Sequence, residues 1–280
     1  MTNFEPGKAV DLGMARVPVS RILGLNPGPM TGPGTNSYLV GRDSLCLVDP
    51  GPVHAQQLAS FLEIIGEREL RYILVTHTHG DHSPGALALQ QATGAELVGM
   101  VAAPGAAHDP TFQPARSWQG GDTVACEDFT LELVHTPGHV FNHFCILLRE
   151  EKLMFTGDHV LQGTTSVILP PDGDMAAYLD SLARLQALDV RYFAPGHGGV
   201  IADPAAELQR LVSHRLAREA KVLAALEELG PCDMSTLVLR VYDDVDKAMH
   251  HWAKKTMLAH LLKLQQEQKV EAHGEQWRSK

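Results

Sequence analysis

The chain has little of what would place it in a membrane, a disulfide scaffold or a coat on nucleic acid. Aromatic residues make up only 6% of its 280 positions, so the core allowed by a 44% hydrophobic composition rests on Leu, Val, Ile and Ala. The four cysteines, Cys46, Cys126, Cys145 and Cys232, are scattered with no Cys-x-x-Cys pair. Cys46 and Cys145 lie inside apolar runs and read as small core residues, so no disulfide framework is expected and a cytoplasmic location fits. The first thirty residues include Glu5, Asp11 and several prolines and hold no continuous apolar stretch. Neither a signal peptide nor a membrane span is expected from them. An excess of basic charge is missing too. The formal net charge of -10 argues against binding nucleic acid through bulk charge, while leaving room for a local basic patch.

What charge there is falls unevenly. Residues 205–280 hold 12 Lys and Arg against 11 Asp and Glu, leaving 11 against 22 in the residues before them. The pattern changes at the same place. Before it, short β-like runs alternate with helical segments. Ser37–Val40 and Leu45–Val48 flank Gly41-Arg42-Asp43 as a hairpin. His54–Ile65, Pro84–Ala92 and Asp174–Ala187 read as helices. Arg71–Thr76, Thr123–Cys126, Phe129–Val134, Phe144–Leu148, Leu153–Phe155 and Arg191–Phe193 read as strands. After it, Ala205–Leu229 shows apolar residues at helical spacing opposite a charged face, ended by Gly230-Pro231. Helical stretches at Met234–Val241 and Lys247–Gln268 follow, then a hairpin around His273-Gly274. Two domains are expected, 1–204 with sheets covered by helices and 205–280 with a winged-helix shape.

The chemistry is concentrated in Thr76-His77-Thr78-His79-Gly80-Asp81-His82, directly after the most strand-like stretch. Imidazole nitrogens and carboxylate oxygens suit zinc and similar cations. Alternation on an extended backbone puts His77 and His79 on one side, and the turn at Gly80 re-aims Asp81 and His82. A polar loop with chance histidines would gain nothing from desolvating four such groups. His139 in Thr136-Pro137-Gly138-His139, Asp158 in Thr156-Gly157-Asp158 and His197 in Pro195-Gly196-His197-Gly198 each sit on a glycine turn past a strand. Together they complete seven donors. The natural split is His77, His79 and His139 for one metal and Asp81, His82 and His197 for a second, with Asp158 bridging.

These motifs, in this order, resemble those of the metallo-β-lactamase superfamily over roughly residues 18–204. The resemblance implies an α/β fold, the αβ/βα four-layer sandwich, with two divalent metals at one edge, Zn2+ first and Mn2+ or Fe2+ as alternatives. A closer resemblance, to the β-lactamase-like protein 2 branch, rests on Leu25-Asn26-Pro27-Gly28-Pro29-Met30-Thr31, Gly34-Thr35-Asn36, Gly163-Thr164-Thr165 and Ser213-His214-Arg215 with Arg218-Glu219. That branch carries a small C-terminal winged-helix-like α domain, and its animal members are single-strand-selective endoribonucleases. The chain departs from the animal pattern at Val140-Phe141-Asn142-His143 and at Ile168–Gly173.

Two cations about 3.5–4 Å apart would hold a bridging hydroxide as nucleophile. Asp81 would orient it while binding metal, and His143 either donates to substrate or is a strand-edge histidine. Asn36 reads as an oxygen contact or a turn residue, and Asp49 as a carboxylate behind the ligands or one fixing a turn. His214, Arg215 and Arg218 share a helix face and would meet phosphates, a domain contact or solvent; Lys254, Lys255 and Lys263 add charge later. Three functions compete. The first is hydrolysis of single-stranded RNA. The second is a thioesterase or lactonase acting on a small ester or thioester, glyoxalase II-like. The third is a non-enzymatic role with structural metal, which seven donors disfavour. No membrane partner is expected, and a homodimer through the C-terminal helices is.

Overall fold

A computed structural model describes residues 5–103 and 108–280. Contacts gather the chain into two compact units. The first comprises residues 1–136, 142–166 and 188–204, and the second 137–141, 167–187 and 205–280. The chain passes from first to second for the last time between Pro204 and Ala205, but two earlier stretches also belong to the second. Local pattern cannot show such a division, because it depends on contacts between residues distant in sequence.

The first unit is built on two sheets. One has the order β1 (Ala9–Asp11), β2 (Val19–Leu23), β3 (Asn36–Val40), β4 (Ser44–Val48), β5 (Glu69–Leu74) and β6 (Glu96–Val98). Pairing is antiparallel from β1 to β4. It turns parallel from β4 to β6, where α1 (Ala55–Ile65) and α2 (Gly85–Thr93) make the crossovers. The helix α1 begins where the His54 ring accepts from the Gln57 amide and ends at Gly66. Its buried face, Phe61 and Ile65, packs with Leu47, Ile73 and Leu89 on one side of the sheet.

The second sheet has the order β11 (Tyr192–Pro195), β10 (Leu153–Gly157), β9 (Phe144–Leu148), β8 (Thr130–His135) and β7 (Thr123–Ala125). It is antiparallel except for β10 and β11, which are parallel. The two sheets share a core that includes Tyr38, Cys46, Val48, Leu131, Phe144, Ile146 and Phe155. The Tyr38 and Phe155 rings lie 5.0 Å apart, and the Tyr38 hydroxyl donates to the Pro195 carbonyl at 2.7 Å. That hydrogen bond satisfies a buried phenol inside an otherwise apolar layer.

Two differences from the sequence reading have physical causes. The strand β5 ends at Leu74, not Thr76, because Val75 is the last amide to find a carbonyl partner on β6, Val98 at 2.8 Å. The Thr76 amide turns instead to the Asp49 carboxylate. The strand β2 carries no clear sequence signature because Arg21 interrupts its apolar run; the structure buries that guanidinium, whose Nη1 donates to the Gly198 carbonyl at 2.9 Å.

The second unit contains α3 (Met175–Gln186), α4 (Pro204–Leu229), β12 (Cys232–Asp233), α5 (Met234–Val241), α6 (His250–Gln266), β13 (Val270–His273) and β14 (Gln276–Ser279). A single 3-10 turn, Lys247–Met249, precedes α6 and splits what reads in sequence as one helix. Asp233 caps α5 by accepting from the Thr236 amide at 2.7 Å. The three short strands pair in the order β12, β14, β13. Val222, Leu226, Leu237, Val241, Met257, Leu261, Leu264, Val270 and Trp277 form its core. Arg218 is held inside this unit by Asp244, at 2.7 and 3.0 Å, and lies over the Tyr242 ring. Glu219 takes Lys263 at 2.9 Å, and Arg215 lies over Tyr178. The motif Ser213–Glu219 therefore builds the unit's interior. Arg218 and Lys263 are engaged there and do not form an open phosphate face.

Phe155 is 1% exposed between the sheets. Phe155→Ala should lower stability by about 3–5 kcal/mol, seen as a lower urea midpoint with an unchanged slope in equilibrium unfolding. A midpoint within error of the parent would mean the two sheets do not share this core.

Candidate metal centre

Four strands deliver the donors, each from its C-terminal end: His77 to His82 past β5, His139 past β8, Asp158 past β10 and His197 past β11. Backbone amides that have run out of ladder partners are free to bond side chains there, which lets loops adopt conformations a strand cannot. Gly157 is one such point, with φ +46; a Cβ on it would stand 2.6 Å from Thr76 Oγ1 and 2.7 Å from His143 Nε2. No side chain larger than hydrogen fits that turn.

Asp49 organises the His77–His82 loop from behind. Its Oδ1 accepts from the Thr76 amide at 2.7 Å. Its Oδ2 accepts from Thr76 Oγ1 at 2.7 Å and faces His82 Nδ1 at 2.9 Å. A carboxylate in that place holds the His82 proton on Nδ1 and leaves Nε2 as the lone-pair nitrogen. That Nε2 is buried and has no hydrogen-bond partner among the described residues, while Asp158 Oδ1 and Asp81 Oδ2 lie 3.4 and 3.6 Å away. Thr76 Oγ1, already donating to Asp49, faces His77 Nδ1 at 3.1 Å as acceptor. The result is the same: Nε2 of His77 is turned forward, 3.0 Å from His79 Nδ1. His139 repeats the arrangement through the Val167 carbonyl, 2.6 Å from its Nδ1.

Donor atoms of Asp81, His82 and His197 lie within 4.8 Å of one another, and so do those of His77, His82 and Asp158. Six of the seven sequence-predicted donors, all but His139, lie in the first unit, and His139 lies in the second. Asp158 thus adjoins His77 of one expected set and His82 of the other. His197 Nε2 stands 3.2 Å from Asp81 Oδ2 and 3.3 Å from Asp158 Oδ1. The residues fit divalent cations on two counts: a buried imidazole nitrogen without a hydrogen bond, and a donor set made wholly of imidazole and carboxylate.

The electrostatics point the same way. Burial alone would push the Asp81 carboxyl up, but the charge of His82 and the hydrogen bond from His197 outweigh it and hold it down at about 2. Burial would likewise lower His82 and His197, yet both rings are raised, His82 chiefly by the Asp158, Asp81 and Asp49 carboxylates and His197 by Asp81 and Asp158. Positive charge is favoured at the centre of this cluster.

His143 is fully buried. Its Nδ1 meets Thr136 Oγ1 at 2.9 Å, and its Nε2 accepts the Asp158 amide at 3.3 Å. Through the bond from the Asp158 amide the ring fixes the loop that carries Asp158. Asn36 opens β3. Its amide Nδ2 donates to the Pro195 and Gly198 carbonyls at 2.9 and 2.8 Å, and its backbone amide to Gly196, clasping the His197 loop.

One contributor was not singled out in the sequence. Asn142 is buried and donates through Nδ2 to Thr78 Oγ1 and to the Met100 carbonyl, both at 2.8 Å. Thr78 Oγ1 in turn meets His108 Nδ1 at 2.9 Å, and the His108 ring stacks on His79. Its position in the segment that departs from the animal pattern was the available signal; nothing local says which loop it would meet.

A family model described as "Metallo-beta-lactamase superfamily" matches residues 30–197, and one described as "Beta-lactamase associated winged helix domain" matches residues 234–277. Among curated proteins, the chain is 32% identical to "Lactamase-like protein aptB" of Emericella nidulans, over 90% of this chain and 82% of the relative. It is also 32% identical to "Beta-lactamase-like protein 2 homolog" of Caenorhabditis elegans, over 81% and 77%. The crystal structure of a β-lactamase domain protein from Burkholderia ambifaria superimposes with a TM-score of 0.81 at 20% identity, covering 100% of this chain and 96% of that one. At that identity the match shows the fold alone.

Asp49→Ala should remove the acceptor behind His82 and weaken metal binding about 10–100-fold, as read by competition with a chromophoric chelator. Unchanged affinity would show that the loop keeps its shape without the carboxylate.

Proposed function

Because the chain belongs to the metallo-β-lactamase superfamily and is a metal-dependent hydrolase of that family, we propose that it carries two zinc ions and cleaves phosphodiester bonds of single-stranded RNA. The observation that carries this reading is the position of Asp158 against both donor sets. His77, His79 and His139 would hold one cation, Asp81, His82 and His197 the other, and Asp158 both. Zinc is the choice that suits nitrogen-rich sets of this kind. When bound, two such cations stabilise charge on both the attacking and the leaving oxygens of an in-line displacement.

The chain's own residues bind and orient. Asp81, with its side chain 29% exposed, is the most open of the four donors in and beside the second set, and it orients the attacking water through its carboxylate. Thr76 and Asp49 hold His77 and His82 in the tautomers that present Nε2. His143 acts through Asp158 as a positioning residue. Phe141, 58% exposed and two residues past His139, offers a ring on which a base can stack. In the second unit, Trp252 is 39% exposed with Lys255 4.7 Å over its ring, a further surface on which a base can stack. The resemblance to the β-lactamase-like protein 2 branch supports this choice of substrate.

A second reading, hydrolysis of a small ester or thioester, is favoured by one observation. Arg218 and Lys263 are engaged in ion pairs within the second unit and so are withdrawn from any phosphate track. The similarity to the fungal lactamase-like protein is compatible with it.

The deciding experiment measures metal content and cleavage of a labelled single-stranded RNA for the parent, His79→Ala and Asp158→Ala. Two metals per chain and cleavage lost in both variants, with metal content reduced, is the expected result. Two metals without RNA cleavage, and turnover of thioesters or lactones instead, would overturn the RNA reading. Phe141→Ala should raise KM for RNA about tenfold, given about 1–3 kcal/mol per stacked base, and leave a small phosphodiester unaffected. Equal effects on both substrates would remove the stacking role.

A further inference from the structure

Two cysteines that sequence spacing gave no reason to connect meet in the first unit. Cys46 lies on β4 and is fully buried in the core between the sheets. Cys126 follows β7, the last strand of the other sheet, where its amide bonds the Phe129 carbonyl at 3.0 Å. It is half-buried and packs on the same core. Eighty residues apart in the chain, their sulfurs stand 3.4 Å from each other.

We propose that Cys46 and Cys126 form a peroxide-reactive dithiol, in which Cys126 is the attacking sulfur and Cys46 the resolving one, and whose oxidised form is a disulfide that joins the two sheets. The geometry sets the roles. Only Cys126 is open enough to meet a small oxidant, and only Cys46 is close enough to answer it. A disulfide needs its sulfurs at about 2.0 Å, so the pair must close by little more than an ångström, and the turn after β7 is the end that can move.

The electrostatic setting agrees with the geometry. The hydrogen bond from the Cys46 thiol, helped by the charge of Arg71, holds the Cys126 thiol down at about 7 against burial, which pushes it up. Burial, with the same hydrogen bond, pushes the Cys46 thiol well up. The Cys126 thiol is therefore the readier of the two to ionise, and Cys46 is the one that holds its proton more firmly.

The chemistry balances with hydrogen peroxide as the oxidant. The Cys126 thiolate attacks one peroxide oxygen, the O–O bond breaks, and the departing hydroxide takes a proton to leave as water. Cys126 is then a sulfenic acid. The Cys46 sulfur attacks it, the S–O bond breaks, and the Cys46 proton goes to the departing oxygen, which leaves as a second water. Two thiols and one hydrogen peroxide become one disulfide and two waters. A thiol reductant reverses the bond.

The remaining cysteines do not offer this arrangement. Cys145 is buried beside Thr136 Oγ1 and the Thr156 carbonyl, and Cys232 belongs to the second unit. The inference is independent of the metal centre and of its substrate, since each readout below is a property of the thiols.

The test is made on the folded, full-length chain with hydrogen peroxide at stoichiometric amounts. Free-thiol titration should fall from four to two. Peptide mapping should show Cys46 joined to Cys126, lighter by two hydrogens and released by dithiothreitol. The oxidised chain should melt several degrees higher, because the bond closes a long loop. Cys126→Ser, at the half-exposed position, should keep its three thiols and give no linked peptide. Cys46→Ala should leave a sulfenic acid on Cys126 that dimedone traps. If that buried substitution prevents folding, the mapping on the unsubstituted chain decides alone. Four titratable thiols after peroxide, a bond to Cys145 or Cys232, or a bond that forms only in denaturant would overturn the proposal.

Discussion

The metal centre depends on one buried carboxylate. Asp49 leaves β4 with φ +51, a conformation that L-residues other than Asn and Asp rarely take. From there its two oxygens reach the Thr76 amide, the Thr76 hydroxyl and His82 Nδ1. Each bond does a different thing. The first ends β5 by taking the amide that would have continued the ladder. The second turns Thr76 Oγ1 into an acceptor for His77. The third fixes the tautomer of His82. Strand length, loop shape and the forward aim of two imidazoles all follow from a residue that holds no metal itself.

Around this point the molecule repeats one device, a polar group behind the ring that assigns the proton to the rear nitrogen. His77 has Thr76, His82 has Asp49 and His139 has the Val167 carbonyl. Imidazole in its neutral form has one donor and one acceptor nitrogen, so fixing the donor to the rear supplies a lone pair in front. The loops are fixed by equally plain means. Asn36 clasps the His197 turn, His143 bonds the Asp158 amide, and Asn142 ties Thr78 to the Met100 carbonyl. Burial keeps water from competing for these bonds.

The second unit uses charge differently. Arg218 with Asp244, and Glu219 with Lys263, are structural pairs inside a small helical core. A domain of this size has few apolar residues to spend on packing, and paired charges with long aliphatic stems can fill the space between helices while satisfying each other. Arg215 and Tyr178 extend that packing to α3, which contact places in this unit although it lies between β10 and β11 in the chain.

The donor-rich segments past the strands, the hairpin at Gly41 and the helices from His54, Pro84 and Asp174 could be read in the sequence. They depend on local matters: donor chemistry, period, and the turn residues that end a strand. The role of Asp49 was readable only as one of two choices, because its partners, Thr76 and His82, are about thirty residues away. The rest was decided by tertiary structure. Arg21 looked too polar for a strand until the Gly198 carbonyl was there to receive it, and Asn142 carried no local mark of the contact it makes with Thr78. The pairing of Cys46 with Cys126 depends on two sheets packing face to face. Pattern along a chain records what each residue prefers, while a hydrogen bond or a sulfur contact between distant segments exists only once packing has fixed the distance between them.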